Sequence, residues 1–295
     1  MSANQNEIAA YNYCVCFIDL LGQREAMHGQ GLLPIFHTSD ERIAFKDVIK
    51  RTIKPIYDLQ EQAAHLMDAV MNKRLESPLR ANLPLGLQSE WDEMQRTAIK
   101  SQHWSDGLVQ FVCLGDTSIK CPMNGIFGLF GTAGISCLIG LSYHTPLRGA
   151  IDIAWGVELR GGELYGPVIA RAYELESECA QYPRIIVSSR TIDYLRATIN
   201  TTEDDRFSQF NRALANICLA MLTEDADGYA ILHYLGEEFQ KTILRETQVG
   251  LYQDALAFIE EQGEKHRASN NTKLALRYNH LLGYFHAHKP VSLAT

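Results

Sequence analysis

Apolar and polar positions along the chain alternate between short β-like runs and longer helical periods. Residues 13–21 (YCVCFIDLL) form an apolar run bounded by Gly22, which predicts a buried strand with one acid, Asp19, near its end. From 39 to 76 the period turns helical: Ser39 or Asp40 can cap, Phe45, Ile49 and Ile53 recur four residues apart, and Pro55 is expected to kink or split the helix. Pro78, Pro84 and Gly86 mark 77–88 as a connector, and 91–100 reads as a short helix. Residues 102–114 predict a hairpin turning at Asp106-Gly107. A glycine-rich helix follows, then a strand at 147–159, a turn at Gly161-Gly162 and a helix over 167–179 with Leu175 and Cys179 inward. A strand at 184–187 and a helix at 191–199 come next, and 217–222 is expected to pair with 229–234 around the 225–228 turn. Beyond 237 two amphipathic helices, broken at 265–271, carry the stripes Leu251/Ala255/Ile259 and Leu274/Tyr278/Leu281. This order predicts an α+β fold, a mostly antiparallel sheet covered by helices, over residues 1–236 with a helical insertion at 39–100, followed by a helical tail at 237–295.

Between Lys120 and Arg148 there is no Asp, Glu, Lys or Arg, and a membrane helix needs only about 20 apolar residues. Asn124, Thr132, Ser136, Ser142 and the glycines at 125, 128, 131, 134 and 140 dilute that run. The three-residue glycine spacing from 125 to 134 allows close backbone approach, so a buried helix on a sheet is expected and no membrane span. The 295 residues are 46% hydrophobic and 21% charged, which excludes a wholly disordered chain. A net charge of −8 without a basic stripe argues against a nucleic-acid partner, while a small anionic ligand stays compatible if a metal or a few cations offset its charge. Seven cysteines lack a CxxC pair or a regular framework, and Cys14 and Cys16 share one strand face; a reduced, cytoplasmic protein is expected. The polar N-terminus argues against a signal peptide. The acidic turn at 225–228 lacks the twelve-residue calcium pattern. His28, His37, His65 and His103 lack zinc spacing, and His280, His286 and His288 read as a surface helix face.

Two acids carry the candidate chemistry. Asp19 ends an apolar strand, where a carboxylate is costly unless paired or bound to metal, and Asp106 sits at a hairpin turn. Neighbouring strands can bring the two together into a hard, oxygen-rich site suited to Mg²⁺ or Mn²⁺, ions that bind triphosphates and stabilise phosphoryl transfer. Read singly, Asp106 merely shapes the turn and Asp19 merely caps.

With their flanks, these residues resemble the class III nucleotide cyclase domain. Residues 17–22 (FIDLLG) look like that family's first strand, and Trp104-Ser105-Asp106-Gly107 with Phe111 like its central hairpin, where Ser105 replaces the usual first glycine. Arg148-Gly149-Ala150-Ile151-Asp152 with Gly156, then Tyr165-Gly166-Pro167-Val168-Ile169 with Leu175-Glu176-Ser177, then Ile186-Val187-Ser188, follow in the family's order over residues 11–235. The resemblance makes 1–236 a cyclase homology domain and implies a head-to-tail homodimer with composite sites. It implies two divalent ions, Mn²⁺ or Mg²⁺, held by Asp19, Ile18 and Asp106, and a backbone phosphate cradle at Leu20, Leu21 and Gly22.

The departures are equally specific. At the family's transition-state Asn and Arg positions stand Ala170 and Glu174, with Arg171 and Tyr173 nearby as substitutes. The purine-reading positions carry Gln102 and Glu163, which match neither the adenylate nor the guanylate pattern, and Trp104 or His103 is bulky enough to fill a purine-sized slot. Such a domain resembles the bacterial pyrimidine cyclases of the Pycsar antiphage defence systems. That resemblance implies synthesis of cyclic UMP or cyclic CMP from the nucleoside triphosphate, read by a separate cyclic-nucleotide effector. A purine cyclase, or an inactive cyclase-like domain that binds a nucleotide or a partner, are the alternatives.

Overall fold

The computed structural model of the chain describes residues 9–23, 27, 31, 33–75, 78–159, 162–244 and 249–290. The N-terminal residues 1–8, His28 and Gly161, on which expectations were placed, lie outside them.

The first strand, β1 (Ala10–Leu20), is buried from Tyr13 to Ile18 and is covered on both sides. Its residues alternate between faces. Cys14, Cys16, Ile18 and Leu20 enter the large core, whereas Tyr13, Val15 and Phe17 enter a second, smaller one. Helix α1 (Ser39–Leu75) crosses to α2 (Pro78–Ala81), α3 (Leu85–Gln95) and the hairpin of β2 (Ile99–Trp104) and β3 (Gly107–Cys113). Helix α4 (Pro122–Ser142) then leads to β4 (Leu147–Glu158). In the sheet these four strands lie in the order β2-β3-β1-β4, all antiparallel neighbours. Two interleaved βαβ units of this kind make a ferredoxin-like core.

Beyond it, β5 (Leu164–Tyr165) pairs with β4, and α5 (Pro167–Glu174) continues as a π-turn over Leu175–Cys179. Strand β6 (Ile185–Val187) adds to β4 in the one parallel pairing among the described strands. Helices α6 (Ser189–Ile199) and α7 (Arg206–Ala220) and the strands β7 (Leu222–Glu224) and β8 (Ala230–Leu232) follow; β8 pairs with β6 and closes the order β6-β8-β7. Helices α8 (Glu237–Phe239), α9 (Val249–Ala268) and α10 (Thr272–Ala287) complete the described chain. The fold is a mostly antiparallel sheet with helices, as the patterning predicts.

Helix α4 is the centre of the large core. By length and composition it is apolar enough to cross a membrane, yet 89% of its most apolar window is buried inside the protein. Its glycines are where close packing happens: a Cβ on Gly125 would come within 2.6 Å of the Val112 side chain, and Gly134 lies under the Phe239 ring. The buried polar groups on the helix are met locally. Thr132 donates to the Gly128 carbonyl at 3.0 Å, and Asn124 to the Gln95 carbonyl at 2.6 Å.

Several elements depart from the pattern-based reading. Pro55 does not split α1, which runs unbroken through it. Thr52, before the proline, donates to the Val48 and Ile49 carbonyls, while Leu59 and Ala63, after it, bury in the core, so packing on both sides holds the turn that lacks one hydrogen bond. The buried face of α1 is therefore Thr52, Leu59 and Ala63; the expected stripe fails, with Ile49 and Ile53 at 37% and 40% exposure. The 91–100 helix lies earlier, at Leu85–Gln95, and β2 begins at Ile99. Residues 217–220 are not strand but the end of α7, whose Asp205 cap accepts from the Phe207 and Ser208 amides. The break expected over 265–271 is shorter, since Lys265 to Ala268 remain helical.

The tail helices join the same core as α4 through Tyr252, Ala255, Phe258, Ile259, Leu281 and Phe285. They are also tied to the sheet electrostatically. Arg184, 2% exposed, reaches Asp225 at 2.5 Å and Asp227 at 2.6 Å and lies over the Tyr182 ring. On the other side of Asp225, His280 of α10 approaches at 2.7 Å, so this histidine belongs to a network and not to the expected free surface face. Burial pushes the Asp225 carboxyl up, but hydrogen bonds from Tyr182, His280 and Arg184 and from the Ala226 amide outweigh it and hold its pKa at about 2.

An acid depressed in the folded state stabilises above its unfolded pKa and loses that contribution as pH falls through the folded value. Asp225→Asn is therefore expected to lower stability at pH 7 by about 2 kcal/mol or more, because it also leaves Arg184 short of a buried partner. Urea unfolding across pH checks this: the gap between wild type and variant narrows as pH falls from about 4 to 2. A gap independent of pH over that window counts against the network.

Candidate functional site

The site forms at one end of the sheet, where β1 stops, the β2–β3 hairpin turns and β4 begins. Strand parity sends the Asp19 side chain to the same face as Phe17, opposite Gly107 on β3 and Arg148 on β4. Asp106 occupies the hairpin turn beside Gly107. The turn itself sits one residue earlier than expected: its central residues are Ser105 and Asp106, between the paired Trp104 and Gly107. Ser105 has φ +53° and is the only one of the pair with positive φ, the sign pattern of a type II′ turn that glycine ordinarily fills. Gly107 is needed for a different reason: a Cβ there would come within 3.2 Å of the Ile18 carbonyl.

One arginine and three acids share this end. Arg148 Nη2 lies 3.5 Å from Asp19 Oδ2, and its Nε contacts Glu176 Oε1. Glu176, in the π-turn after α5, is 1% exposed. Burial, opposed by Arg148 and reinforced by the charges of Asp19 and Asp106, raises its carboxyl to about 7. Burial also raises the Asp19 carboxyl, with the Asp106 charge next in size, against Arg148 and the Leu20 amide. Asp19 and Asp106 stand at the same sheet end, Asp19 opposite Gly107 and Asp106 next to that glycine in the turn. Arg148 and Glu176 were not among the expected site residues. Their signal was present in the motifs that carry the resemblance, but neither stands in a position that the family uses for metal.

Donor chemistry at this end suits a hard divalent cation. Two carboxylates repel each other and one lone arginine offsets them only in part, so a cation between them is favoured. Among the described residues no group of three or more His, Cys, Asp or Glu side chains is arranged as a ready metal cluster, so Asp19 and Asp106, with Ile18 beside them, would hold an ion as a sparse protein set completed by other oxygens.

The remaining expected residues divide. Trp104, 45% exposed, and Tyr173, 50% exposed, flank the Phe17 ring edge to face at 6.1 and 5.7 Å, so both stand close to Asp19. Trp104 also borders a cleft of about 490 Å³ with Trp155, Tyr165, Pro167 and Ala170, an aromatic-walled space at the start of α5. Gln102 is occupied: its Oε1 accepts from the Leu164 amide at 2.7 Å and ties β2 to β5. Glu163 is exposed next to it. Arg171 is turned to Asp152, which is wholly buried, at 3.0 Å. In the expected phosphate cradle, Leu20 ends β1 and the Leu21 amide donates to the Pro146 carbonyl at 2.9 Å. Gly22, with φ +92°, follows them.

Compared with known protein families, the chain matches none, and no curated protein matches it.

Two stability experiments follow from this geometry. Arg171→Ala leaves a buried carboxylate unpaired and is expected to cost about 3 kcal/mol in chemical denaturation; an unchanged midpoint would show that the Asp152 pair is not what Arg171 is for. Ser105→Gly removes a left-handed serine and is expected to raise the midpoint, by up to about 1 kcal/mol after the extra flexibility of glycine in the unfolded chain is counted.

Proposed function

We propose that the protein is a metal-dependent pyrimidine nucleotide cyclase, which converts UTP or CTP to the 3′,5′-cyclic monophosphate and pyrophosphate. The observation that carries this reading is that β1 and β3 pair Asp19 with Gly107, the residue after Asp106, so that two acids far apart in the chain stand at one sheet end of a ferredoxin-like core. In the reaction the ribose 3′-oxygen bonds to the α-phosphorus, the bond from that phosphorus to the bridging oxygen breaks, pyrophosphate leaves and the hydroxyl proton passes to solvent. A divalent ion, Mn²⁺ or Mg²⁺, supplies charge neutralisation and hydroxyl activation when bound. Asp19 and Asp106 hold it, and the aromatic cleft by Trp104 accepts the flat base.

A homodimer completes the reading. The surface around α5 exposes Trp104, Trp155, Tyr165 and Tyr173 together, a density of large aromatics suited to a second copy. The protein then acts in the cytoplasm as a second-messenger synthase in antiphage defence, and its product is read by a separate cyclic-nucleotide effector. One observation favours a second reading, an inactive cyclase-like nucleotide-binding domain: Arg171 and Gln102 are both engaged inside the fold, so neither is free for a substrate. A purine cyclase remains the outcome if the aromatic cleft admits the larger base.

Incubation with each of the four nucleoside triphosphates and Mn²⁺, with identification of the product, decides among the three. Cyclic UMP or cyclic CMP is expected, UTP ahead of CTP. Asp19→Asn and Asp106→Asn should each lower turnover at least 100-fold, since loss of charge stabilisation in the transition state is worth about 3 kcal/mol or more. Folded variants with full activity, or a clear preference for ATP or GTP, would overturn the proposal.

A further inference from the structure

A cavity of about 760 Å³ lies where the tail helices meet the sheet end that carries Asp19. Leu21 and Gly22, which follow Asp19 and Leu20 directly, line it, and α9 and α10 contribute Lys265 and Arg277. No Asp or Glu is among its described lining residues, although acids outnumber Lys and Arg by 35 to 27 in the chain. Among the described residues no carboxylate pairs with Lys265 or Arg277; the Arg277 guanidinium touches the side-chain oxygen of Gln181 instead. Arg277 is half-buried, and burial, then the charge of Arg148, lowers its pKa. Arg148, the cation that holds Asp19, is near enough for its charge to act on Arg277, although it is not among the described residues that line the cavity. A guanidinium and an ammonium group that border one cavity, with no acid among its described lining residues, favour an anion there. The rest of the lining is mixed: Phe258, Leu274 and Tyr278 are apolar or aromatic, Gln181, Gln262 and His266 are polar, and His144 stacks on Phe258 at 4.7 Å.

We propose that this cavity binds the polyphosphate group of a nucleotide, with Arg277 and Lys265 as its cationic donors, so that the C-terminal helices complete the Asp19 site. This rests on the nucleotide reading given above. Arginine presents a planar fork of donors that matches phosphate oxygens two at a time, and lysine adds a mobile point charge. The placement explains why the tail is fastened to the sheet through His280 and Asp225: any shift of α10 would carry Arg277 away from Arg148. It also supplies what the β1 end lacks, since the Leu21 amide is already engaged.

The test is calorimetric titration of the full chain with inorganic pyrophosphate, and separately with inorganic phosphate, with turnover of UTP and CTP measured in parallel. Wild type is expected to bind pyrophosphate, and more tightly than phosphate. Arg277→Gln and Lys265→Gln should each weaken pyrophosphate binding about tenfold, and should raise KM for the triphosphate more than they lower kcat. Arg277→Lys should recover part of the loss, which a purely structural role of the arginine in packing would not show. If Arg277→Gln loses its thermal transition, Lys265→Gln, at an exposed position of α9, decides by itself. Failure of wild type to bind pyrophosphate, preference for phosphate, or unchanged binding by the variants overturns the proposal. Pyrophosphate binding that depends on these two residues, without cyclisation of any triphosphate, upholds the cavity and refutes the cyclase reading. Cyclisation with a KM untouched by the variants does the reverse.

Discussion

Burial of β1 on both faces is the constraint on which the rest depends. A strand whose every second residue enters one core and whose alternate residues enter another has no freedom to rotate or slip. Its register with β3 and β4 is thereby set over most of its length, and the last odd-numbered side chain, Asp19, is delivered opposite Gly107 and Arg148. A slip of one residue would turn Asp19 into the large core and Ile18 out of it, a double penalty of a buried charge and a lost apolar group. The carboxylate is thus held at the sheet end by apolar packing several residues away.

Electrostatics at that end are deliberately incomplete. Arg148 is shared between Asp19 and Glu176, and Asp106 adds a third negative group to the same neighbourhood. The cluster is stable because Glu176 is buried and raised to about 7, so much of its charge is absent near neutrality. This contrasts with the Arg184 network at the β7–β8 turn, where Asp225 and Asp227 pair with one buried guanidinium, Tyr182 accepts from it and His280 meets Asp225 from the other side, with only Arg184 Nε left without a partner among the described residues. One cluster holds the tail in place; the other is left with a charge imbalance that a cation would relieve. That difference, more than the presence of acids, separates a structural cluster from a candidate site.

The tail links the two. Helices α9 and α10 bury their apolar stripes against the same core as α4, and their polar faces carry His280 to Asp225 and Arg277 toward Arg148. Packing that looks like simple coverage of the core therefore also decides which cations stand around the sheet end.

By itself the sequence determined the elements whose signal is local: the apolar run of β1, the hairpin beside Asp106, the glycine-rich helix and the amphipathic tail stripes. These follow from periodicity and turn chemistry, which act over a few residues. Other features were decided only by tertiary structure, because each depends on a partner distant in the chain. Pro55 stays inside α1 because Leu59 and Ala63 bury beyond it, and the buried stripe of that helix is the one α4 can reach, not the one its own period displays. Arg171 turns to Asp152 because a wholly buried carboxylate requires a cation, and Gln102 turns to Leu164 because the β4–β5 hairpin brings that amide within its reach. Glu176 and Arg277 reach the Asp19 end because a π-turn and a docked helix carry them there, and no spacing along the chain records where a helix docks.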